Sequence, residues 1–517
     1  MRSRWQEPAA FFSAAALLLG VSALPIAALL TEAACGARSS VAVLSSASTW
    51  ALFGRSLLLA SAVTATALLL GVPLGFLLGK SDLPGRSVCW LLHGFPMFLP
   101  PFLPALGWFQ LLGRQGLVGS EAGASFLFGP GGDVFVLTLA FTPVVTTLTA
   151  LALQGMDPSY EEAARTVARP WRVATRILLP AAWPASALGG IVVFALAFSE
   201  LGVPMFLRVR VYPVAVFARL GGVDYAPGEA FALVLPLLAV ALGLLLAERW
   251  LGKRRPFTVR GLGLSREPIP LGVWRNLATG IVWTITFLGL LPLGALFHRA
   301  LVGRGFLLVG QWLGSSISDS LVTAAAAATF LTGTGLVLGH ATARLRRGAG
   351  ALDGLALLAF VTPATALGVG LIQVWNHAAA SAVYGSAAIL VVGYAARYSI
   401  LGLRPLTVAV GQGPPSLEEA AAVAGAGYFR RLLRVVAPVH IRALAATWLM
   451  IVVFCLRDLE MSVLYYPAGT EPLAVRIFTL EANGPEPVVA ALACTLSALT
   501  GVVVGIGLLV LRARQSS

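Results

Sequence analysis

Residues 160–180 read YEEAARTVARPWRVATRILLP, and residues 417–438 read LEEAAAVAGAGYFRRLLRVVAP. Both stretches are polar and basic, lie between long apolar runs, open on Glu-Glu-Ala-Ala and close on a proline. A Pro-Ser pair precedes each tetrad, so the serine can cap a helix whose first turn carries the acids. The tetrads lie 257 residues apart (161 to 418) and the closing prolines 258 (180 to 438). We interpret the stretches as one helical hairpin that is repeated in two halves of the chain and docks a partner.

The composition of the chain is that of a membrane protein. Of its 517 residues, 58% are hydrophobic and 11% are charged, against about 25% charged residues in globular domains. Many apolar runs approach the ~20 residues that a membrane-spanning helix needs, so we predict an all-α polytopic membrane protein. The first apolar run is too long for the apolar core of a cleaved signal peptide, and we expect it to remain as an anchor. The four cysteines have neither metal-binding nor disulfide spacing.

Twelve apolar runs are long enough to cross the membrane. They are residues 8–30, 52–79, 87–112, 133–153, 185–206, 229–248, 273–296, 318–340, 351–375, 383–403, 443–465 and 486–511. This pattern predicts a first repeat of six spans at residues 1–248, with its hairpin at about 157–180. A linker at 249–272 then leads to a second repeat of six spans at 273–517, with its hairpin at about 414–438. Because each repeat holds an even number of spans, the two repeats are parallel in the membrane.

The chain has a net charge of +14, and the distribution of its basic residues agrees with this topology. With the N-terminus inside, lysines and arginines concentrate in both hairpins, in the linker and in the stretch from Arg397 to Arg442, which all face the same side. The positive-inside rule therefore predicts that both termini and both hairpins are cytoplasmic. We read the basic balance as a topology signal and predict a lipid bilayer, not nucleic acid, as the surroundings of the chain.

Charged residues occur near the ends of two matched spans. FALAFSELGVP ends the fifth span and carries Glu200, and FCLRDLEMSV ends the eleventh and carries Arg457, Asp458 and Glu460. Charges at membrane depth normally pair and face a cavity. These four residues either line a translocation pathway or its gate near the outer side, or they pair to fix the packing of the second half. Three carboxylates would also suit a hard cation such as Fe³⁺ through oxygen ligation.

Prolines interrupt the third and ninth spans, which are matched positions of the two repeats. They are Pro96, Pro100, Pro101 and Pro104 in the third span and Pro363 in the ninth. Broken helices at matched positions indicate a substrate path between the repeats, and ordinary membrane-helix kinks are the alternative.

The chain shows no nucleotide site of its own. Residues 75–81, GFLLGKS, resemble a phosphate-binding loop but have three residues between the glycines where four are needed, and they end a membrane span. The energy for transport must then come from a partner or a gradient. A gradient-driven secondary transporter can also have parallel repeats, but it would need charges deep in the spans. A membrane enzyme would need a His, Asp or Glu cluster, and the five histidines lack ligand spacing, so we predict no catalytic residue, metal or cofactor.

The two hairpins resemble the EAA loops of ATP-binding cassette (ABC) importer permeases. In that family Glu-Ala-Ala is followed after three residues by Gly and later by a proline, which fits the second hairpin except that Ala437 replaces the usual Leu. The first hairpin has Ala168 in place of the Gly and is one residue shorter. The resemblance implies the type I importer permease fold and two helices that dock into two cytoplasmic ATPase subunits. The residues implied in this coupling are Glu161, Glu162, Ala163, Ala164, Ala168, Pro180, Glu418, Glu419, Ala420, Ala421, Gly425 and Pro438.

Longer stretches resemble the double-length ferric-iron permeases and their thiamine relatives. They are PPFLPALGWFQLLGRQG at 100–116, FSELGVPMFL at 198–207 and LRDLEMSVLYYPAGTEPLAVRIF at 456–478. Met461 and Asp458 depart from the usual small residue and Glu. The resemblance covers essentially the whole chain and implies a permease of the bacterial inner membrane that receives solute from a periplasmic or lipid-anchored binding protein. Ferric iron is the expected solute, and thiamine, a polyamine or a phosphonate are alternatives.

Overall fold

The structure is a computed structural model. It describes residues 3–35, 37–156, 161–162, 164, 166, 168–221, 227–254, 268–345 and 349–512. Within these ranges the chain is helical, and its one extended pairing is an isolated parallel bridge between Ser81 and Ile269. The prediction of an all-α protein is therefore confirmed.

Thirteen α-helices are described in the first half of the chain. In order they are α1 Ser3–Leu18, α2 Leu24–Cys35, α3 Ala37–Leu44, α4 Ala47–Lys80, α5 Arg86–Gly94, α6 Phe102–Leu112, α7 Glu121–Leu127, α8 Pro130–Gln154, α9 Pro170–Val173, α10 Leu179–Ser199, α11 Gly202–Phe206, α12 Tyr212–Gly221 and α13 Pro227–Arg254. A 3₁₀-turn at Phe95–Phe98 continues α5.

Fourteen α-helices are described in the second half. They are α14 Arg275–Val302, α15 Gly305–Leu313, α16 Ser316–Leu345, α17 Ala349–Val361, α18 Ala364–Trp375, α19 Ser381–Tyr384, α20 Ala388–Gln412, α21 Ser416–Val423, α22 Tyr428–Arg431, α23 Ala437–Val439, α24 Ile441–Leu456, α25 Ser462–Tyr465, α26 Leu473–Asn483 and α27 Glu486–Arg512. Short 3₁₀-turns at Gly272–Trp274 and Ala378–Ala380 precede α14 and α19.

The number of membrane spans agrees with the sequence. Among the described residues, eight helices are long and apolar enough to cross a membrane, and four sharply bent helix pairs raise the number to twelve. The third span bends by 102° between α5 and α6, and the ninth by 107° between α17 and α18. These breaks fall at Pro100–Pro101 and at Pro363, as predicted, because proline lacks the amide hydrogen that the helix ladder requires.

Three π-helical turns occur in the described chain, each just ahead of a proline. They are Leu19–Ala23, Ala174–Leu178 and Leu432–Val436. The residue after each turn donates its amide hydrogen five residues back, as Leu179 does to the carbonyl of Ala174. The wider turn makes room for the ring of the following proline, which would clash with a carbonyl four residues back in a regular helix. The last two turns end the two hairpin segments at equivalent positions.

Close helix contacts at glycines form the centre of each half. In the first half α4 packs against α8, where a methyl group added to Gly71 or Gly75 would meet the side chains of Val145 or Thr149 at 2.7 and 2.6 Å. In the second half Gly335 and Gly339 of α16 face α20 in the same way. Small residues let helix backbones approach closely where the bilayer supplies no hydrophobic drive for association. The fifth and eleventh spans, α10 and α24, complete these two cores.

The first span of each half packs against the other half. The α2 helix lies on α18, where Gly370 contacts the carbonyl of Pro25. The α14 helix lies on α6, where Gly107 contacts the carbonyl of Pro292. The two halves therefore exchange their first spans in a pseudo-symmetric way, and a glycine–proline contact marks both crossings.

The segment between the halves is described at its two ends. Its expected first residues, 249–254, continue α13, and residues 255–267 lie outside the described ranges. Ile269 donates its amide hydrogen to the carbonyl of Lys80 at 2.7 Å and accepts one from Asp82 at 3.3 Å. Its side chain is buried beneath the first hairpin with Ala164. The end of the linker thus holds the short loop that follows α4.

Candidate functional site

The second hairpin forms the helix–turn–helix expected from its sequence. The α21 helix ends where Gly425 takes up a left-handed conformation with φ of +80°, which glycine adopts without steric cost. None of the residues of α21 is buried, and Val423 is 91% exposed. Glu419 and Ala420 are exposed as well. The hairpin therefore presents a small surface with exposed apolar residues, which is typical of a protein contact.

Glu418 does not take part in this exposed surface. Its carboxylate accepts hydrogen bonds from Arg344 at 2.8 and 3.0 Å, and it contacts Nε2 of His340 at 2.7 Å. Partial burial of Glu418 opposes its ionisation, but the hydrogen bonds from His340 and Arg344 outweigh this effect and hold the pKa of Glu418 below its usual value. The first acid of the second hairpin is therefore fixed to the end of α16.

The first hairpin is described only in part, since Pro158, Ser159, Ala163 and other residues of the segment lie outside the described ranges. Glu161 forms an ion pair of 2.6 Å with Lys80 at the end of α4, and the two side chains are 3% and 2% exposed. Glu162 is exposed, whereas Ala164 is buried in an apolar cluster and the partly buried Ala168 packs against that cluster.

The closing prolines occupy the same place in both copies. Pro180 stands in the first turn of α10 and Pro438 in the first turn of α23, and both are exposed. Each follows its π-turn directly, at the point where the hairpin segment passes into a membrane span.

A second group of candidate residues lines a cavity between the halves. Glu200, Arg457, Asp458 and Glu460 lie on this cavity, together with Pro100 and Pro101 at the break of the third span. The structure therefore brings together the four charged residues that the sequence singled out. The volume of the cavity is about 30 Å³, enough for one or two water molecules. The cavity is closed to any larger solute in this structure.

The carboxylates of the second half are paired inside the protein. Arg397 donates to Asp458 at 3.2 Å and to Glu460 at 2.8 Å. Asp458 also accepts hydrogen bonds from the hydroxyls of Tyr398 at 2.7 Å and Ser462 at 2.8 Å. These bonds satisfy a charge that would otherwise be costly at this depth. Among the described residues, no cluster of His, Cys, Asp and Glu is arranged to hold a metal ion.

One charged residue of the cavity links the two halves. Arg457, at the end of α24, donates a hydrogen bond to the carbonyl of Met97, which stands just before the break of the third span. Glu200, from the first half, accepts a hydrogen bond of 3.3 Å from the amide of Val203. The two repeats therefore meet at a charged contact that includes residues of both.

Comparisons with known proteins agree with this architecture. No family model matches the sequence. The chain is 26% identical over 380 residues to the putative ferric transport system permease protein FbpB 1 of Haemophilus influenzae, which covers 66% of this chain and 58% of that relative. It is 26% identical over 362 residues to the ferric transport system permease protein FbpB of Actinobacillus pleuropneumoniae, covering 63% and 51%. The chain thus spans only a little over half the length of these two relatives.

A third relative matches a shorter region more completely. Over 203 residues the chain is 30% identical to the probable molybdenum ABC transporter permease protein of Haloferax volcanii, covering 38% of this chain and 73% of that relative. The chain belongs to the family of ABC importer permeases. The relatives are permease proteins of transport systems and not enzymes, which agrees with the prediction for this permease.

The permease contains two cavity residues that sequence reasoning missed. Arg397 was assigned to the basic segment that faces the cytoplasm, whereas the structure places it buried within α20, next to Tyr398 and on the cavity. The signal was present, because an arginine inside an apolar run of a membrane protein normally marks a functional or paired site. From the first half, Glu200 is the charged residue among those that line the cavity, beside Phe102, Phe141 and Leu196, so the cavity is polar mainly on the side of the second half.

Proposed function

We propose that this chain is the membrane subunit of an ATP-driven importer, with both termini and both hairpins in the cytoplasm of a bacterial inner membrane. The observation that carries the proposal is the exposed α21 hairpin, which recurs in the sequence of the first half and belongs to a chain of the ABC importer permease family. An exposed apolar surface on a polar, basic segment needs a protein partner.

The partners follow from the same surfaces. Each hairpin docks one cytoplasmic ATPase subunit, and Glu162 and Glu419 are the exposed acids of the two contacts. Closure of the two ATPase subunits then moves the hairpins and, through them, the spans on either side of the cavity. A periplasmic or lipid-anchored binding protein delivers the solute to the opposite face.

The cavity between the halves is the translocation pathway in a closed state. Glu200, Arg457, Asp458 and Glu460 are its gate, and Arg457 holds the gate shut by its bond to the carbonyl of Met97 in the other half. This contact breaks when the halves separate. Internal pairing of Asp458 and Glu460 with Arg397 keeps the carboxylates from binding a cation tightly as it passes.

Ferric iron is the solute that we propose. The support is the similarity to two ferric permeases over about two thirds of this chain. Molybdate is a second candidate, because the relative from Haloferax volcanii is a probable molybdenum permease and because two guanidinium groups, Arg397 and Arg457, lie on the cavity and could attract an oxyanion. No observation on the described residues favours thiamine, a polyamine or a phosphonate.

An uptake measurement tests this function. The permease would be reconstituted in liposomes with its ATPase and binding protein, and the entry of radioactive ferric iron and of radiolabelled molybdate would be compared with and without ATP. We expect iron uptake that depends on ATP and on the binding protein. ATP-dependent molybdate uptake without iron uptake would support the proposed importer but show that its solute is molybdate and not ferric iron. Uptake driven by an ion gradient without ATP would contradict the proposal.

A further inference from the structure

The two halves carry the same ion pair beneath their hairpins. Gly71 of α4 and Gly335 of α16 make equivalent contacts with the neighbouring span, so these glycines align the two helices. Lys80 and Arg344 each lie nine residues beyond the aligned glycine. Lys80 pairs with Glu161, and Arg344 pairs with Glu418. A basic residue at the end of the second span of each half therefore binds the first acid of the hairpin of that half.

We infer that Glu161 and Glu418 are positioning residues that anchor the two coupling hairpins to the second span of their own half. This inference rests on the proposed function, because it explains how a hairpin moved by an ATPase transmits its movement to the membrane. The second acids, Glu162 and Glu419, are exposed and are the ones that would contact the partner. In each Glu-Glu pair, the first acid thus anchors the hairpin and the second acid contacts the partner.

The side chains of both anchoring ion pairs are largely buried. Lys80 and Glu161 are almost fully enclosed, and Glu418 and Arg344 are 12% and 18% exposed. Removal of one member of such a pair takes its charged partner away from a largely enclosed side chain, which is unfavourable. A hairpin that lost its anchor would therefore move away from the span, while the outer acid would still face the ATPase.

The first anchor is additionally locked by the linker. Ile269 accepts a hydrogen bond from Asp82 and donates one to the carbonyl of Lys80, the residue that holds Glu161. The second anchor has no counterpart of this backbone bridge among the described residues and is supplemented instead by His340. Because the second hairpin lacks this backbone bridge, its anchor is the simpler of the two to test by substitution.

The test measures the movement of α21 in the purified permease without partners. A spin label is attached at Val423→Cys, a position 91% exposed at the end of α21, after replacement of the four native cysteines. We expect the label to become more mobile in Glu418→Gln and in Arg344→Gln. It should stay unchanged in Arg344→Lys, which copies the Lys80 pair of the first half, and in the matched control Glu419→Gln. Equal mobility in all five proteins would overturn the anchor.

A second measurement tests transmission. In the reconstituted importer, Glu418→Gln should consume more ATP per transported solute, by about fivefold or more, while the ATPase still co-purifies with it. Arg344→Lys should retain the ratio of the parent protein, which a merely destabilising change at this site would not predict. An unchanged ratio in Glu418→Gln would overturn the positioning role. If no ATPase binds the unsubstituted permease, the proposed function fails, and the spin-label result still decides whether the anchor exists.

Discussion

At the scale of single residues, the behaviour of the permease depends on charges that pair inside the chain. Arg457 is the cavity residue that reaches the other half, since its guanidinium is bound to the carbonyl of Met97 at a helix break. That carbonyl is available because Pro100 and Pro101 interrupt the helix just beyond it. A charge and a broken helix, one from each repeat, therefore meet at the cavity, and this is the contact that we propose as its latch.

Substitution of Arg457 should open the cavity. In Arg457→Gln the link between the halves is weakened, so the buried thiol of Cys455, two residues away, should react faster with a water-soluble maleimide. We expect an increase of about tenfold, equivalent to ~1.4 kcal/mol, measured with the other three cysteines replaced by serine. Arg304→Gln, at an exposed arginine outside the cavity, is the control. Equal labelling rates in the two variants would show that Arg457 is not a latch.

The residues of the charged site were only partly predictable from sequence. Glu200, Arg457, Asp458 and Glu460 stood out because charges at the end of apolar runs are rare. Their partners Arg397 and Tyr398 did not, because the positive-inside rule counts an arginine without knowing on which side of a span boundary its side chain lies. The pairing of Glu161 and Glu418 with basic residues was not predictable either. The sequence of two adjacent acids at a helix start does not tell which of them the fold places beside a basic side chain.

At the scale of elements, spacing and proline positions predicted the spans and their breaks. The bends of 102° and 107° in the third and ninth spans follow from prolines that can be read directly. The sharp bends in the tenth and eleventh spans, of 85° and 83°, have weaker signals, because short breaks at residues 385–387 and at His440 produce them. Packing against neighbouring helices, which sequence periodicity does not record, determines these angles.

The glycine–proline crossings should be sensitive to one methyl group. At Gly107 and Gly370 an added methyl would overlap the carbonyls of Pro292 and Pro25. We expect Gly107→Ala and Gly370→Ala each to destabilise the protein by about 1–3 kcal/mol and to lower its melting temperature in detergent.

Gly294→Ala is the matched control for this comparison. Gly294 lies in α14 near Pro292, but a methyl group added there would meet no atom within 4 Å. Its melting temperature should equal that of the unsubstituted protein or exceed it slightly, because alanine favours the helix. A loss of stability as large as that of Gly107→Ala would contradict the proposed importance of the crossing.

At the scale of the whole molecule, two parallel repeats exchange their first spans around a closed cavity. Because α2 belongs to the first half and packs on α18 of the second, while α14 makes the reciprocal contact, neither half is a separate body. We therefore expect movement imposed on either hairpin to reach both walls of the cavity. The even number of spans in each half predicted that the repeats are parallel. The exchange of the first spans was not predictable, because the sequence of an apolar helix does not show against which half it packs.

The mass of the complex that the permease forms in its native membrane tests the proposed function most directly. After gentle extraction, native mass spectrometry would count the subunits bound to each permease chain. We expect two ATPase subunits per chain, one for each hairpin, and loss of one subunit when Glu419→Gln weakens its contact. A permease that is isolated without an ATPase, yet still imports its solute in liposomes in the absence of ATP, would show that the chain is not part of an ATP-driven importer.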